Sequence, residues 1–319
     1  MLAINLDMVP KIGMLGFVSY KTPWIHFRRT ADEYILYIVR DGELHIQENG
    51  IPHVLGKGDL LLLEPGLEHA GLQKRTCDYY YFHFRHPDIR PCPEEDAAAL
   101  AKRVLLEEKT QAVLDTDHLG KRAVHDTNRP GTCYFPKFFS LKNRPMLQQA
   151  FRMIDDILML YERKAHKGNL TALRLAELFI ELSHEYLMAE LHQANGRSSR
   201  SFLKVNALLE YIHQHYTEKI SSADIEAAFD CNFDYMNRIF KQATGHTIFQ
   251  YCNRVRINKA KELIQATHLD VGEIGYMVGV SDPYYFSKLF KKVVGLSPMH
   301  YYQKVRESSE ESAAQTVLP

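Results

Sequence analysis

One segment of this chain is used twice, and that repeat constrains the fold more than any other feature. "DIEAAFDCNFDYMNRIFKQATGHTIFQY" aligns with "EIGYMVGVSDPYYFSKLFKKVVGLSPMHY". Tyr235 then pairs with Tyr285, Arg238 with Lys288, Phe240 with Phe290, Lys241 with Lys291, Gly245 with Gly295 and Tyr251 with Tyr301, each 50 residues apart. The stretches before them match at 49, Ile225 with Ile274, because the second copy has one extra residue in its turn. A fixed offset means one supersecondary unit used twice.

Each copy reads as helix, tight turn, helix. In the second, Gly279 supplies the positive φ of the turn, Asp282 caps the next helix and Pro283 stands at its first position. Phe286, Leu289, Phe290 and Val293 fall at i, i+3, i+4 and i+7, an inward face. That leaves Tyr284, Ser287, Lys288 and Lys291 outward; in the first copy the outward set is Asp234, Asn237, Arg238 and Lys241. Short polar and basic side chains on a second helix suit the major groove, where Asn pairs with adenine, Arg or Lys with guanine, and Lys with phosphate. A lone helical hairpin says little. Two in tandem, joined by a long helix at about 247–266, are far more specific, and a plain helical domain whose charged faces are merely solvated competes poorly with them. Residues 200–306 carry 14 Lys+Arg against 10 Asp+Glu, a balance of +4 in a chain whose net charge is zero, which permits nucleic-acid binding without establishing it.

Upstream the pattern is different. "YILYIVR", "ELHIQE", "HVL", "DLLLLE" and "DYYYFHF" between 34 and 84 are short, rich in β-branched and aromatic residues, and separated by turn signals. Asn49-Gly50 is a strong hairpin signal among them. A small barrel or sandwich over residues 1–92 is expected. Residues 93–194 read as mainly helical, with helices at about 146–164 and 169–194 and one more strand within 132–141. In the second of these helices Leu175, Phe179, Leu182 and Tyr186 recur at three-four spacing, with Leu173, Ile180 and Leu187 on the adjoining stripe. That wide face packs either on its own barrel or on a second subunit. "NGRSSRS", 195–201, reads as a linker, 202–306 as the tandem helical domain and 307–319 as a polar tail. The fold class expected is α+β and multidomain.

The five cysteines are scattered, with no C-x-x-C pair, which fits buried thiols in a reducing cytoplasm. No apolar run approaches the ~20 residues that span a bilayer, and the N-terminus does not read as a signal peptide.

The tandem unit resembles the DNA-binding domain of AraC/XylS-type transcription regulators over about residues 203–306. "RVRINKAKELI" is similar to that family's linker helix, and "IGYMVGVSDPYYFSKLFKKVVGLSPMHYYQKVR" to its signature. The first copy departs from the pattern: Glu226 stands where the family has a small residue and Asp230 where it has the turn glycine. The strand region resembles the cupin-type sensor domain of such regulators, with Gly58, Gly66 and His69 in cupin spacing. At the positions where enzymatic cupins carry further metal ligands, counted back from Gly42, stand Arg28, Thr30 and Ile35, so a pocket without metal or other cofactor is expected.

What the pocket holds is suggested by Trp24, His26 and Arg28, alternating along one strand, and by Tyr79, Tyr81 and His83 on a later one, together with His69. Aromatic faces with Arg and His suit a sugar ring or a small anion; equally, the aromatics are core and the histidines structural. The resemblance raises sugars above other effectors. It also implies a homodimer, double-stranded DNA and RNA polymerase as partners, activation of transcription, no catalysis and no membrane. A cupin enzyme fused to a DNA-binding module and an architectural DNA-binding protein that senses nothing remain the alternatives.

Overall fold

A computed structural model of the chain describes residues 1–92, 96–114, 131–162, 167–194 and 196–316. The described residues of Met1–Ala97 and Asn128–Glu190 form one unit, and those of Ala98–Thr127 and Leu191–Pro319 a second.

The first unit carries the strands β1 (Leu2–Asn5), β2 (Lys11–Trp24), β3 (Arg29–Thr30), β4 (Tyr34–Gly42), β5 (Leu44–Glu48), β6 (Ile51–Leu55), β7 (Asp59–Leu63), β8 (Glu68–Gly71), β9 (Arg75–Arg85) and β10 (Ile89–Pro91). After α1 (Ala97–Leu114), which belongs from Ala98 onward to the second unit, come β11 (Thr132–Phe135), β12 (Phe138–Ser140), α2 (Met146–Tyr161) and α3 (Lys167–Gln193), the last ending beyond Glu190 in the second unit. All pairings are antiparallel, in sheets ordered β12-β7-β4-β9-β2, β3-β8-β5-β6 and β10-β1-β11. Asn49 and Gly50, at φ 48° and 83°, make the two-residue turn that sets the β5–β6 register.

Ile35, Tyr37, Val39, Leu61, Leu63, Cys77 and Tyr79 from the five-stranded sheet meet Leu44, Ile46 and Leu55 from the four-stranded one, closing a shared interior. The intervening residues Leu36, Ile38, Leu60, Leu62, Tyr80, Phe82 and Phe84 are buried too. This sheet is therefore covered on both faces, which is why β4 and β7 read as unbroken apolar runs rather than alternating ones. The cover is helical. Phe179 of α3 lies 5.3 Å from Phe84 and 5.5 Å from Phe135, ring to ring, and Phe151 of α2 lies 6.0 Å from Tyr80. Tyr80 donates to Asp155 of α2 at 2.7 Å.

Three sequence expectations change. The division near residue 92 is not where the unit ends: β11 pairs with β1 and β12 with β7, because the outer face of the five-stranded sheet needs its covering helices. Leu175, Phe179, Leu182 and Tyr186, expected to dimerise, are buried within the chain (0, 1, 0 and 8% exposed), so of the two alternatives the face packs on its own sheets. The stripe left exposed on α3 holds Leu170, Leu173 and Ile180, whereas Leu187 is buried. The expected linker is helical from Arg197, where α4 (Arg197–His215) begins, and Ser199 is already buried.

In the second unit α4 is followed by α5 (Ser222–Phe229), α6 (Phe233–Thr244), α7 (Ile248–Ala266), α8 (Val271–Met277), α9 (Pro283–Val294) and α10 (Pro298–Thr316), whose helix continues through most of the expected polar tail. α7 is the shaft. Its Ile248, Tyr251, Cys252 and Val255 pack with α4, α5 and α6, and its Ile257, Ala260 and Ile264 with α8, α9 and α10. Leu106 of α1 packs on the first of these clusters. Among the described residues no helix is long and apolar enough to cross a membrane.

Candidate nucleic-acid interface and sensor site

The two repeats are built alike down to their caps. Ser221 and Asp270 open α5 and α8 with reciprocal capping boxes, and Asn232 and Asp282 open α6 and α9, each accepting two backbone N–H groups. α6 and α9 are both 12 residues long and both end in a left-handed glycine, Gly245 or Gly295. An edge-on aromatic pair anchors each repeat, Phe240 with Tyr251 at 5.4 Å and Phe290 with Tyr301 at 5.5 Å. Thr247 caps the shaft with a further capping box.

The turns reach one geometry by different means. Gly279 sits at φ 81°, and a Cβ there would stand 2.5 Å from the Thr217 carbonyl oxygen, so both conformation and space require glycine. Asp230 takes the equivalent left-handed place at φ 45°, which Asp tolerates better than most residues. Gly275 lies against Phe286, where a Cβ would come 3.1 Å from the ring. Its counterpart Glu226 is exposed instead, and its carboxylate accepts the Phe233 backbone N–H at 2.7 Å. The first turn is thus strapped by a side chain where the second is packed tight.

Of the residues expected to read DNA, Asp234, Arg238, Lys241, Tyr284, Lys288 and Lys291 are exposed, Tyr284 at 80%. Ser287 is half-buried. Asn237 is half-buried and committed: its Oδ1 accepts the Ile248 backbone N–H at 3.0 Å, tying α6 to the start of the shaft. Tyr276 and Tyr285, exposed at 76% and 48%, stand in the second repeat and were absent from the expected set.

In the first unit the structure brings most of the expected sensor residues together. Trp24 stacks on Tyr20 with ring centroids 4.2 Å apart and an angle of 4°. His26 is edge-on to Trp24 at 5.4 Å and 5.3 Å from His69, centroid to centroid. His83, Tyr79 and Tyr81 line β9 alongside. Arg28 is the exception. Its side chain is exposed and pairs with Glu68 at 3.0 Å. After Trp24 the chain leaves the strand and crosses Gly71, whose N–H donates to the His26 carbonyl at 2.9 Å and where a Cβ would meet the His26 nitrogen at 2.5 Å. That crossing shifts the phase by one residue, and Arg29 turns inward. Arg29 Nε donates to His69 Nε2 at 3.0 Å and its Nη2 to His83 Nε2 at 3.2 Å.

The histidine tautomers follow from their partners. His26 Nδ1–H donates to the Phe27 carbonyl (2.8 Å), so Nε2 accepts from the Tyr37 hydroxyl (2.9 Å). His83 Nδ1–H donates to Glu33 at 2.8 Å. Burial holds all three imidazoles neutral: it lowers His26 and His83 below the usual histidine range and His69 to about 4. Tyr37 is pushed up to about 12, also by burial. Among the described residues no group of three or more His, Cys, Asp or Glu is arranged to hold a metal ion. A cleft of about 400 Å³ elsewhere on this unit, lined by residues including Lys57, Lys142, Asn143 and Arg144, shares none of these sensor residues.

Twin helix-turn-helix units on one shaft, following a β-rich unit with a polar and aromatic interior, define a DNA-binding regulator with its own sensor. Residues 12–183 match the AraC-like ligand binding domain and residues 225–304 a helix-turn-helix domain. The chain is 31% identical over 284 residues, 88% of its length and 90% of the relative's, to the uncharacterized HTH-type transcriptional regulator YisR of Bacillus subtilis. It is 29% identical over 157 residues, 49% of its length and 54% of the relative's, to the HTH-type transcriptional activator RhaS of Escherichia coli. The C-terminal domain of AraT, a response regulator from Geobacillus stearothermophilus, aligns with 31% of the chain and 84% of its own at 30% identity, with a TM-score of 0.31. The chain belongs to the AraC family of transcription regulators.

Proposed function

We propose that this regulator activates transcription when a small polar ring compound of the sugar class occupies the interior beside Trp24, His26 and His69. Activation is favoured by relatives named as transcriptional activators, and a ring ligand by the stacked Tyr20–Trp24 pair beside polar side chains. Arg238, Lys241, Tyr284, Lys288 and Lys291 contact DNA, with Asp234 and Ser287 at the edges of the reading faces. RNA polymerase is the second macromolecular partner. A homodimer forms through the exposed stripe of Leu170, Leu173 and Ile180. The observation that carries this reading is the duplicated cap, turn and anchor along α7, which supports two unlike outward faces in one chain. The test is selection of tight-binding duplexes from a random pool with the full chain, then gel shifts with Lys288→Ala and Arg238→Ala. Loss of selective binding in both supports the reading; wild-type binding by both rejects these helices as readers.

A further inference from the structure

Resting on that sensor reading, we infer that the effector carries a carboxylate, and that Arg29 is the residue that selects it. Arg29 is half-buried, and among the described residues its guanidinium is held by neutral groups alone. Two of its five N–H donors are spent on His69 and His83, the Tyr37 hydroxyl faces it, and its Cζ lies 4.9 Å from the centre of the Phe27 ring. It makes no ion pair with a carboxylate among the described residues. The carboxylate associated with this network, Glu33, is bound to the far nitrogen of His83 and orients that ring rather than meeting the guanidinium.

Burying part of a cation costs hydration that neutral acceptors only partly return. The histidines add no compensating negative charge in either protonation state. They act as a frame: each Nδ1–H is fixed by a neighbour, so Nε2 of His69 and His83 can only accept, and both accept from Arg29. The guanidinium is thereby locked in orientation with donors to spare. A locked fork with unspent donors suits a carboxylate, which takes two parallel N–H bonds and supplies the missing charge. His26 links this fork to the aromatic wall, 5.3 Å from His69 on one side and 5.4 Å from Trp24 on the other. The ligand chemistry is a ring with an apolar face and a carboxylate, from either a sugar acid or an aromatic acid.

Trp24 is the sole tryptophan of the chain, so its fluorescence reports this site directly. The experiment titrates the full chain, at constant ionic strength, with D-galacturonate against D-galactose and with benzoate against benzyl alcohol. At least one acid is expected to change the fluorescence saturably and to bind tenfold or more tighter than its neutral counterpart. Arg29→Gln removes that tenfold preference, and Arg29→Lys, which keeps the charge, retains part of it. Galacturonate or benzoate as the responding acid distinguishes the two sources. A saturable response to galactose equal to that to galacturonate overturns the carboxylate inference and leaves the sugar-sensor reading intact. Silence from all four probes in folded protein overturns both. A preference that survives Arg29→Gln overturns the role of Arg29.

Discussion

Glu226 accepts the backbone N–H of Phe233 across the first turn, and nothing equivalent exists in the second repeat, where Gly275 stands in its place. Each solution is fitted to its own turn. Glu226→Ala removes a cap bond and is expected to cost about 1 kcal/mol, read as faster amide hydrogen exchange over α6. Gly275→Ala drives a Cβ toward the Phe286 ring and the Val280 carbonyl and is expected to cost about 1–3 kcal/mol. Equal exchange rates in wild type and Glu226→Ala contradict the strap.

Asp230 and Gly279 make a second contrasting pair. Asp230→Gly relieves a left-handed residue and is expected to raise the thermal midpoint, by up to about 1 kcal/mol of stability. Gly279→Ala meets both the positive φ and the Thr217 carbonyl, and lowers it by more than that.

Asn237 and Lys288 separate structure from reading. Asn237→Ala is expected to destabilise the second unit by about 1–3 kcal/mol, because it leaves the Ile248 N–H without its acceptor. Lys288→Ala leaves the melting temperature unchanged and costs about 1–3 kcal/mol in binding a selected duplex. Lys291→Ala weakens all sequences alike and flattens the salt dependence by about 0.9 in log–log slope. Melting curves and gel shifts at two salt concentrations decide between these roles.

On α3, buried and exposed apolar residues part company. Leu182→Ala opens a cavity and is expected to cost about 2–5 kcal/mol. Leu173→Glu with Ile180→Glu keeps the fold and shifts the chain to monomer in sedimentation. A dimer unaffected by the double change places the interface elsewhere.

The first unit is also pH-sensitive in one direction. His26, His69 and His83 are neutral when folded, with pKa values below the ordinary histidine value, His69 at about 4. The unfolded chain binds their protons first as pH falls below about 6.5. Their stabilising contribution is therefore complete above that pH and is lost between there and about 4. Melting at pH 5 is expected several degrees below that at pH 7.5, and His69→Gln narrows the difference. An unchanged melting temperature across this window contradicts the neutral frame.

The helical half was legible because its signals are local and repeated: glycines at turns, Asp282-Pro283 at a helix start, aromatics 50 residues apart. The strands that alternate or form apolar runs between hairpin turns were legible too. β2 was not, since its exposed lysines and glycines hide the period. Arg29 was hidden for a different reason. Alternation from Trp24 points to Arg28, and only the crossing at Gly71, a contact distant in sequence, reverses the phase. The burial of Phe179 and Leu182 was open between two partners because helix periodicity shows that a face is apolar but not what covers it.

The central claim is that one chain reads DNA with two unlike helices. The most direct measurement is hydroxyl-radical footprinting of the full chain on a duplex selected from a random pool. Two helices on one shaft predict that each chain protects an asymmetric site, two unlike boxes on one face of the duplex about 10 base pairs apart, with Arg238→Ala erasing one box and Lys288→Ala the other. A single box per chain, or a compact palindrome shared by two chains, contradicts it.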